Sequence, residues 1–418
     1  MKKTILSTSL AISLALGLAH APALRADESD YSPTRYNPDE AKEMRSTLRA
    51  YLDPTYIPSP EYLKSWLSYG VKAGQYIGCY AGTETPEELK AQCAKSQAFH
   101  DTLVAGLPEK LSAPVARKRK ILVLTYRTHT YGGAAGGLIL LREAAKKYGA
   151  FELTEVYKLD DSIDEKMLAG FDAVVLNGIT SVGRAGPCGD HGSLYKDHPE
   201  LKEEVEKRRA ETAKITPHLY NELLPNYVKA GGGLVAIHGA FLLPGFVNGW
   251  NEKADDPKNV FGEMLGGAAD SWPHPRYGKI SYNPIEMQVV EPENPLTLAF
   301  RDAAAGKVKF SSELYTCWLP KASINDTRLL LRNDYDKQPG VEYNPKSIER
   351  SKEFASAIIW IKNYGKGRVY CNVMGHMPED FSEPHKSRAL LDGLLYATDD
   401  LKVPDAPPTA AHAGQSTP

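Results

Sequence analysis

The chain has 418 residues, of which 42% are hydrophobic and 24% are charged, and its formal net charge is −2. This composition is typical of a globular protein with one large core or two smaller ones. A nearly neutral chain without clusters of lysine and arginine argues against nucleic acid and anionic membranes as partners.

Residues 1–26 have the features of a secretory signal peptide. Two lysines precede an apolar stretch, Ile5–Leu18, and small residues follow it as far as Ala26. The apolar stretch is too short to span a bilayer, and a buried N-terminal helix is the alternative interpretation. We therefore expect a periplasmic or secreted protein, cleaved after Ala21, Ala23 or Ala26.

The next segment, residues 27–118, is predicted to be a helical extension. It is rich in Tyr and Pro, and Asp39–Tyr51 and Pro86–Ala105 have the periodicity of amphipathic helices. In an oxidising compartment, Cys79 and Cys93 could close a local disulfide loop. The extension is expected to pack against the main domain or to cover its site.

Residues 119–400 are predicted to form an α/β domain with a parallel, doubly wound sheet, because strand-like and helix-like segments alternate. The first strand begins at Ile121, a Gly/Ala-rich helix covers about Ala134–Lys147, and a last helix covers about Lys386–Thr398. Residues 401–418 are predicted to be a disordered tail. The other predicted strands are Glu152–Tyr157, Ala173–Asn177, Leu234–His238, Glu286–Val290, Leu329–Arg332, Ala357–Ile361 and Val369–Val373.

Histidines follow three of these strands at their carboxyl ends, where α/β sheets bind ligands. His129 comes after the first strand, His238 ends the fourth, and His376 follows Val369–Val373. Three imidazoles with a carboxylate can hold Zn or another divalent ion, although the chain has no HExxH helix and no CxxC pair. A divalent metal at this edge is therefore one prediction.

His238 lies between Ile237 and the small residues Gly239 and Ala240. Small neighbours permit the sharp strand-to-helix turn that carries a Ser or Cys nucleophile in other enzymes. A histidine there disfavours an acyl-enzyme and favours a general base or metal ligand. The alternative is a buried histidine that is satisfied by backbone groups.

Two further segments follow predicted strands. In Gly375-His376-Met377-Pro378-Glu379, a helix or turn would bring Glu379 near His376, as an orienting acid or as a second reactive carboxylate. Arg127 precedes a glycine-rich run that lacks the P-loop lysine and the Rossmann spacing. We therefore expect no nucleotide and assign Arg127 to substrate binding.

Aromatic residues beside a carboxylate suggest sugar recognition. Glu313 is followed by Tyr315 and Trp318, and His274 follows Trp272 in a predicted loop. Acids bond sugar hydroxyls and aromatic rings stack on the C–H faces of sugars. We assign His274, Tyr315 and Trp318 to substrate binding and Glu313 to catalysis; a surface acid beside core aromatics is the alternative.

An ordered set of motifs resembles the ThuA-like (trehalose utilisation) family over residues 119–398. The motifs are Gly231–Ala240, Gly266-Gly267 followed by His274-Pro275, Glu313-Leu314-Tyr315, and Tyr364–Tyr370 running to Gly375-His376. The resemblance implies a flavodoxin-like fold, similar to that of class I glutamine amidotransferases, with a mainly parallel sheet and helices on both faces. His238 then replaces the amidotransferase cysteine.

The resemblance also implies a role in sugar catabolism, on a glycoside or 3-keto-glycoside, by isomerisation, elimination or hydrolysis. It further implies that His129, His238 and His376 hold a divalent metal. Because the C–H beside a sugar ketone is acidic, His238 or Glu313 could remove its proton while a second group protonates the leaving oxygen. The alternatives are a non-catalytic glycan-binding protein and a hydrolase that uses Glu313 and Glu379 on unoxidised glycosides.

Overall fold

The computed structural model describes residues 101–124, 132–156, 159–178, 210, 214–242, 260–269, 285–301, 307–310, 317–320, 327–333, 354–375 and 378–404. The predicted signal peptide, most of the predicted extension with Cys79 and Cys93, and residues 405–418 lie outside these ranges. Among the residues described, no helix has the length and apolarity needed to cross a membrane.

A single mixed sheet holds the eleven strands found in the described ranges. Its spatial order is β2-β1-β3-β4-β11-β10-β9-β6-β7, with β8 paired to β10 and β5 paired to β8. The strands are β1 Arg119–Leu124, β2 Phe151–Val156, β3 Ala173–Asn177, β4 Gly233–Ile237, β5 Ala268–Ala269, β6 Ile285–Val289, β7 Lys307–Phe310, β8 Cys317–Pro320, β9 Thr327–Asn333, β10 Phe354–Tyr364 and β11 Gly367–Asn372.

The helices of the described ranges connect these strands. A π-helical turn, Leu219–Leu223, leads into α3, and two 3₁₀ turns, His238–Leu242 and Pro378–Phe381, follow β4 and β11. The α-helices are α1 Gly132–Tyr148, α2 Glu165–Leu168, α3 Leu224–Ala230, α4 Val260–Leu265, α5 Leu298–Arg301 and α6 Pro384–Ala397.

Five neighbouring strands form the parallel half of the sheet. The pairs β1–β2, β1–β3, β3–β4 and β4–β11 are all parallel, so their order is that of a flavodoxin-like sheet. The other half, from β10 to β7, is antiparallel. The predicted α/β, flavodoxin-like fold is therefore confirmed, and antiparallel strands extend it on one side.

Helices cover both faces of this parallel half. An added Cβ at Gly367 in β11 would overlap the backbone oxygen of Val228 in α3, whereas the ring of Tyr370 lies against Gly393 in α6. Because side chains alternate along a strand, Gly367 and Tyr370 face opposite sides of the sheet. Accordingly, every residue of β3 and β4 is buried, as is expected for strands covered on both faces.

The buried carboxyl group of Asp392 has a pKa near neutral pH. Asp392, on α6, has only 1% of its surface exposed. Burial raises the pKa of Asp392 to about 6, against the opposing effects of Ser112 and of Arg388, whose Nε lies 3.4 Å from Oδ2. A raised pKa means that the folded state favours the protonated acid, so ionisation destabilises the fold.

We expect Asp392→Asn to stabilise the protein at pH 7.5 relative to wild type, and much less so at pH 4.5. The pKa of Asp392 is 3.8 in the unfolded chain and about 6 in the folded protein. The stability that the protonated acid contributes is therefore fully present below pH 3.8 and is lost as the pH rises through about 6. The gain should be roughly 2–3 kcal/mol from this difference in pKa. Urea unfolding of both proteins at the two pH values measures it, and a difference in unfolding free energy that is independent of pH would contradict it.

Candidate functional site

His238 directly follows β4 and begins the 3₁₀ turn His238–Leu242. Its backbone φ is +46°, in the left-handed region that residues other than glycine rarely adopt, and its side chain is fully buried. Such a conformation costs about 1–2 kcal/mol and persists where the surroundings impose it, often at functional sites. The sharp turn expected at this strand end is therefore present.

Three adjacent strands end together at this turn. Asn177 of β3 pairs in register with Ile237 of β4, which pairs on its other side with Asn372 of β11. All three strands are parallel, so their carboxyl ends lie side by side. His238 consequently lies between the exits of β3 and β11, at the edge where α/β sheets bind ligands.

The ring of His238 is hydrogen-bonded to the backbone just after the end of β11. Its Nδ1 lies 3.0 Å from the carbonyl oxygen of Val373. A carbonyl oxygen can only accept a hydrogen bond, so Nδ1 carries the proton and donates it. In the neutral imidazole, Nε2 is then the nitrogen that carries the lone pair.

The chain leaves β11 through a position that requires glycine. Gly375 has φ +112°, and an added Cβ would lie 2.7 Å from Cζ of Phe381 and 3.2 Å from Cγ2 of Ile237. The same Phe381 ring is 3.3 Å from the Cβ position of Gly137 in α1. The two glycines thus allow the turn Pro378–Phe381 to pack closely between β4 and α1.

The start of β8 lies near this edge. Val373 N–H donates to the Ile358 carbonyl oxygen of β10 at 2.9 Å, and Cys317 pairs with Ala357, the next residue of β10. β8 therefore occupies the same side of β10 as β11, just beyond the carboxyl end of β11. β8 starts at Cys317, two residues after Tyr315 in the sequence.

Of the predicted site residues, His238 is the one whose side chain the structure describes. Glu379 lies in the turn Pro378–Phe381 and Trp318 in β8, but their side chains are outside the described set. Their assigned roles remain predictions. The other predicted site residues, which lie wholly outside the described ranges, are Arg127, His129, His274, Glu313, Tyr315 and His376.

Metal ligands do not gather in the part of the chain that the structure describes: no group of three or more His, Cys, Asp or Glu side chains occurs there. Two of the three predicted histidine ligands lie outside that part. The cysteines Cys317 and Cys371 are both buried, and burial raises the pKa of each thiol well above its usual range. Both are therefore core thiols that stay protonated at neutral pH.

The sequence motifs did not point to Asn372 or to the Val373 carbonyl. Asn372 is 4% exposed, and its Oδ1 accepts a hydrogen bond of 3.0 Å from the backbone N–H of Met374. The only sequence signal is an asparagine at the end of an apolar strand. Such a residue also commonly serves as an ordinary turn former, so it does not by itself indicate a site.

A separate cavity of about 610 Å³ opens at the opposite edge of the sheet. Arg119, Asp172 and Arg368 line it near the amino ends of β1, β3 and β11. Both arginines are already paired, Arg119 with Asp400 at 2.6 Å and Arg368 with Asp399 at 2.8 Å. These pairs join the α6 end of the chain to the sheet, which is a structural role.

The fold and the turn at His238 define a flavodoxin-like α/β protein with a histidine at the nucleophile-elbow position. Residues 120–397 match the family model described as trehalose utilisation, ThuA. The chain belongs to the ThuA-like family. A search of curated proteins finds no match.

Several solved structures resemble this chain at low identity. A protein from Bacteroides uniformis described as ThuA-like has 15% identity and a TM-score of 0.41, and the match covers 68% of this chain and 93% of that one. A cytoplasmic protein from Salmonella typhimurium has 15% identity and a TM-score of 0.37, with 67% and 98% covered. A β-galactosidase from Bacillus circulans has 10% identity and a TM-score of 0.36, with 76% and 36% covered.

Proposed function

We propose that this protein is an exported enzyme of sugar catabolism that acts on a glycoside in its oxidised, 3-keto form through proton abstraction. One observation supports the proposal: His238 is fully buried on a left-handed turn, and its Nδ1 donates to a backbone carbonyl, which leaves the lone pair of the neutral ring on Nε2. Membership of a family described by trehalose utilisation supports a carbohydrate substrate.

His238 is suited to proton transfer because its orientation is imposed by the fold. A base works best when it is held within hydrogen-bond reach of the proton it removes. In a 3-keto sugar, the C–H beside the carbonyl is the acidic site. His238 Nε2 accepts that proton in this scheme, and Glu313 is the alternative base.

The other predicted residues complete the scheme. His376 and Glu379 follow β11, whose exit is bonded to His238, and one of them would protonate the leaving glycosidic oxygen. Arg127, His274, Tyr315 and Trp318 would bind the sugar. The position of Cys317 beside the end of β11 supports bringing the Glu313–Tyr315 segment to this edge.

The hydrogen bond that His238 Nδ1 donates is compatible with a divalent metal on the other ring nitrogen. Metal-binding histidines usually donate their second ring N–H to a carbonyl or carboxylate, as His238 does toward Val373. His129, His238 and His376 would hold such an ion. When bound, it would polarise the carbonyl oxygen of the substrate and make the neighbouring C–H more acidic.

Turnover of plain and 3-keto-glycosides, with and without a chelator, tests the proposal. We expect turnover of the 3-keto compounds, and its loss in chelator together with about one divalent ion per chain by elemental analysis if metal takes part. Turnover of plain glycosides alone would favour the hydrolase with a carboxylate pair. Sugar binding without any turnover would favour a glycan-binding protein, and either result would contradict the proposal.

A further inference from the structure

The peptide group between Val373 and Met374 makes two side-chain hydrogen bonds at the carboxyl edge of the sheet. Its N–H, on Met374, donates to Asn372 Oδ1 at 3.0 Å, and its carbonyl oxygen, on Val373, accepts from His238 Nδ1 at 3.0 Å. A peptide group is planar, so its N–H and C=O directions are fixed relative to each other. The hydrogen bond to Asn372 at one end of this peptide therefore constrains the direction of the carbonyl at the other end, which contacts His238.

Strand pairing does not require this bond to Asn372. Backbone hydrogen bonds pair β11 with β4 and with β10. The peptide group between Asn372 and Val373 is held by a separate bond, because the Val373 N–H donates to the Ile358 carbonyl oxygen. The Asn372 side chain adds one constraint to the peptide whose carbonyl oxygen accepts from His238. Loss of that constraint should leave the sheet in place and free the Val373 carbonyl to rotate.

Burial makes this constraint strong. His238 is fully buried and Asn372 is 4% exposed, so bulk water does not readily replace a lost hydrogen bond. Hydrogen bonds in a chain also polarise one another, by about 10–30% per bond. An acceptor on the Met374 N–H thus makes the Val373 carbonyl a better acceptor for the proton on Nδ1.

We propose that Asn372 is a positioning residue that selects the Nδ1-protonated tautomer of His238 through the Val373–Met374 peptide. The inference rests on the proposed function for its purpose, which is to keep Nε2 unprotonated and directed to the substrate or metal. Its structural claim concerns the tautomer alone and is measured without substrate or metal.

The tautomer can be measured by NMR on protein labelled with ¹⁵N-histidine, with His238 assigned from the signals lost in His238→Asn. In the wild type we expect the Nδ1–H form to dominate. Asn372→Ala should shift the tautomer ratio toward Nε2–H by about tenfold or more, while Asn372→Asp, which retains an acceptor oxygen, should preserve the Nδ1–H form. A wild-type protein with Nε2–H dominant would overturn the proposal without any variant.

Asn294 provides a matched control. It is also 4% exposed, and its Oδ1 accepts from the backbone N–H two residues later, on Leu296, at 3.1 Å. Asn294→Ala should leave the His238 tautomer ratio unchanged. An equal shift in both alanine variants would overturn the proposal, and so would the absence of a shift in a folded Asn372→Ala protein. If Asn372→Ala does not fold, Asn372→Thr, which has a weaker acceptor, is used for the same test.

A separate titration with Zn²⁺ connects the tautomer to function. If His238 binds metal, Asn372→Ala should weaken Zn²⁺ binding by about 10-fold, the lower end of the loss that follows removal of a direct partner of a metal ligand, because Asn372 acts through the Val373 carbonyl. A shifted tautomer in Asn372→Ala with no metal binding and no turnover in wild type would refute the proposed function and keep the positioning role. Normal turnover with an unshifted tautomer would refute the positioning role alone.

Discussion

Replacing His238 by asparagine is expected to lower turnover by about 10²–10⁴-fold, the usual contribution of a positioned acid or base. Asparagine tolerates the left-handed conformation that this position imposes, with φ at +46° in the wild type. It therefore removes the imidazole while keeping the turn after β4. The measurement is turnover of the substrate identified among the 3-keto-glycosides, together with thermal unfolding to establish that the variant is folded.

His218→Asn is the matched control for this experiment. His218 is a histidine with half of its side chain exposed, next to Glu222, and it lies in the helical residues 214–218, directly before the π-helical turn Leu219–Leu223. We expect its replacement to change turnover by less than about twofold, since surface changes away from a site have small effects. A folded His238→Asn protein with wild-type turnover would show that His238 is a structural core residue.

Replacing Glu155 by glutamine is expected to lower the free energy of unfolding by about 3–5 kcal/mol, the usual cost of removing one partner of a buried ion pair. Glu155 of β2 accepts two hydrogen bonds from Arg142 of α1, Nε to Oε1 at 2.7 Å and Nη2 to Oε2 at 2.6 Å. Only 3% of the arginine and 5% of the glutamate side chain are exposed. The variant would leave a buried guanidinium without its carboxylate.

The pair on the same helix between Lys146 and Glu143 provides the control. Its atoms are 3.1 Å apart, and the lysine side chain is 38% exposed. Although the Glu143 side chain is only 11% exposed, Lys146→Gln should change the unfolding free energy by less than about 1 kcal/mol, because the lysine charge itself reaches solvent. Urea unfolding of the variants measures both effects, and similar losses for Glu155→Gln and Lys146→Gln would contradict the prediction.

A double replacement separates the cost of the lone charge from the worth of the pair. In Arg142→Met with Glu155→Leu, both buried charges are removed and apolar groups of similar length fill the space. We expect most of the stability lost in Glu155→Gln to return, because buried pairs are often matched by well-packed apolar residues. A double variant as unstable as the single one would indicate that the pair itself specifies how α1 docks on β2.

The sequence by itself determined the parallel half of the fold. Continuous apolar runs predict strands that are buried on both faces, and β3 is found with the bounds that were expected, Ala173–Asn177. The glycines before β4 and the small residues after His238 indicate a sharp turn, which is local information. For these reasons the position of His238 at a strand end followed from the chain alone.

The short strands of the other half were not predicted. β5 has two residues, β7 and β8 have four each, and β8 ends in a proline. Runs this short contain too few residues to distinguish a strand from a loop by alternation. Pairing with longer neighbours such as β10 supplies the hydrogen bonds that make them strands, so the tertiary structure decided them.

The chemistry of His238 likewise depended on tertiary contacts. The carbonyl that fixes its tautomer belongs to a residue 135 positions away along the chain. No local pattern encodes a hydrogen bond to a backbone oxygen at that separation, because any residue at position 373 carries the same carbonyl. The sequence thus identified the histidine, whereas the pairing of β4 with β11 decided which nitrogen it presents and made Asn372 part of the same edge.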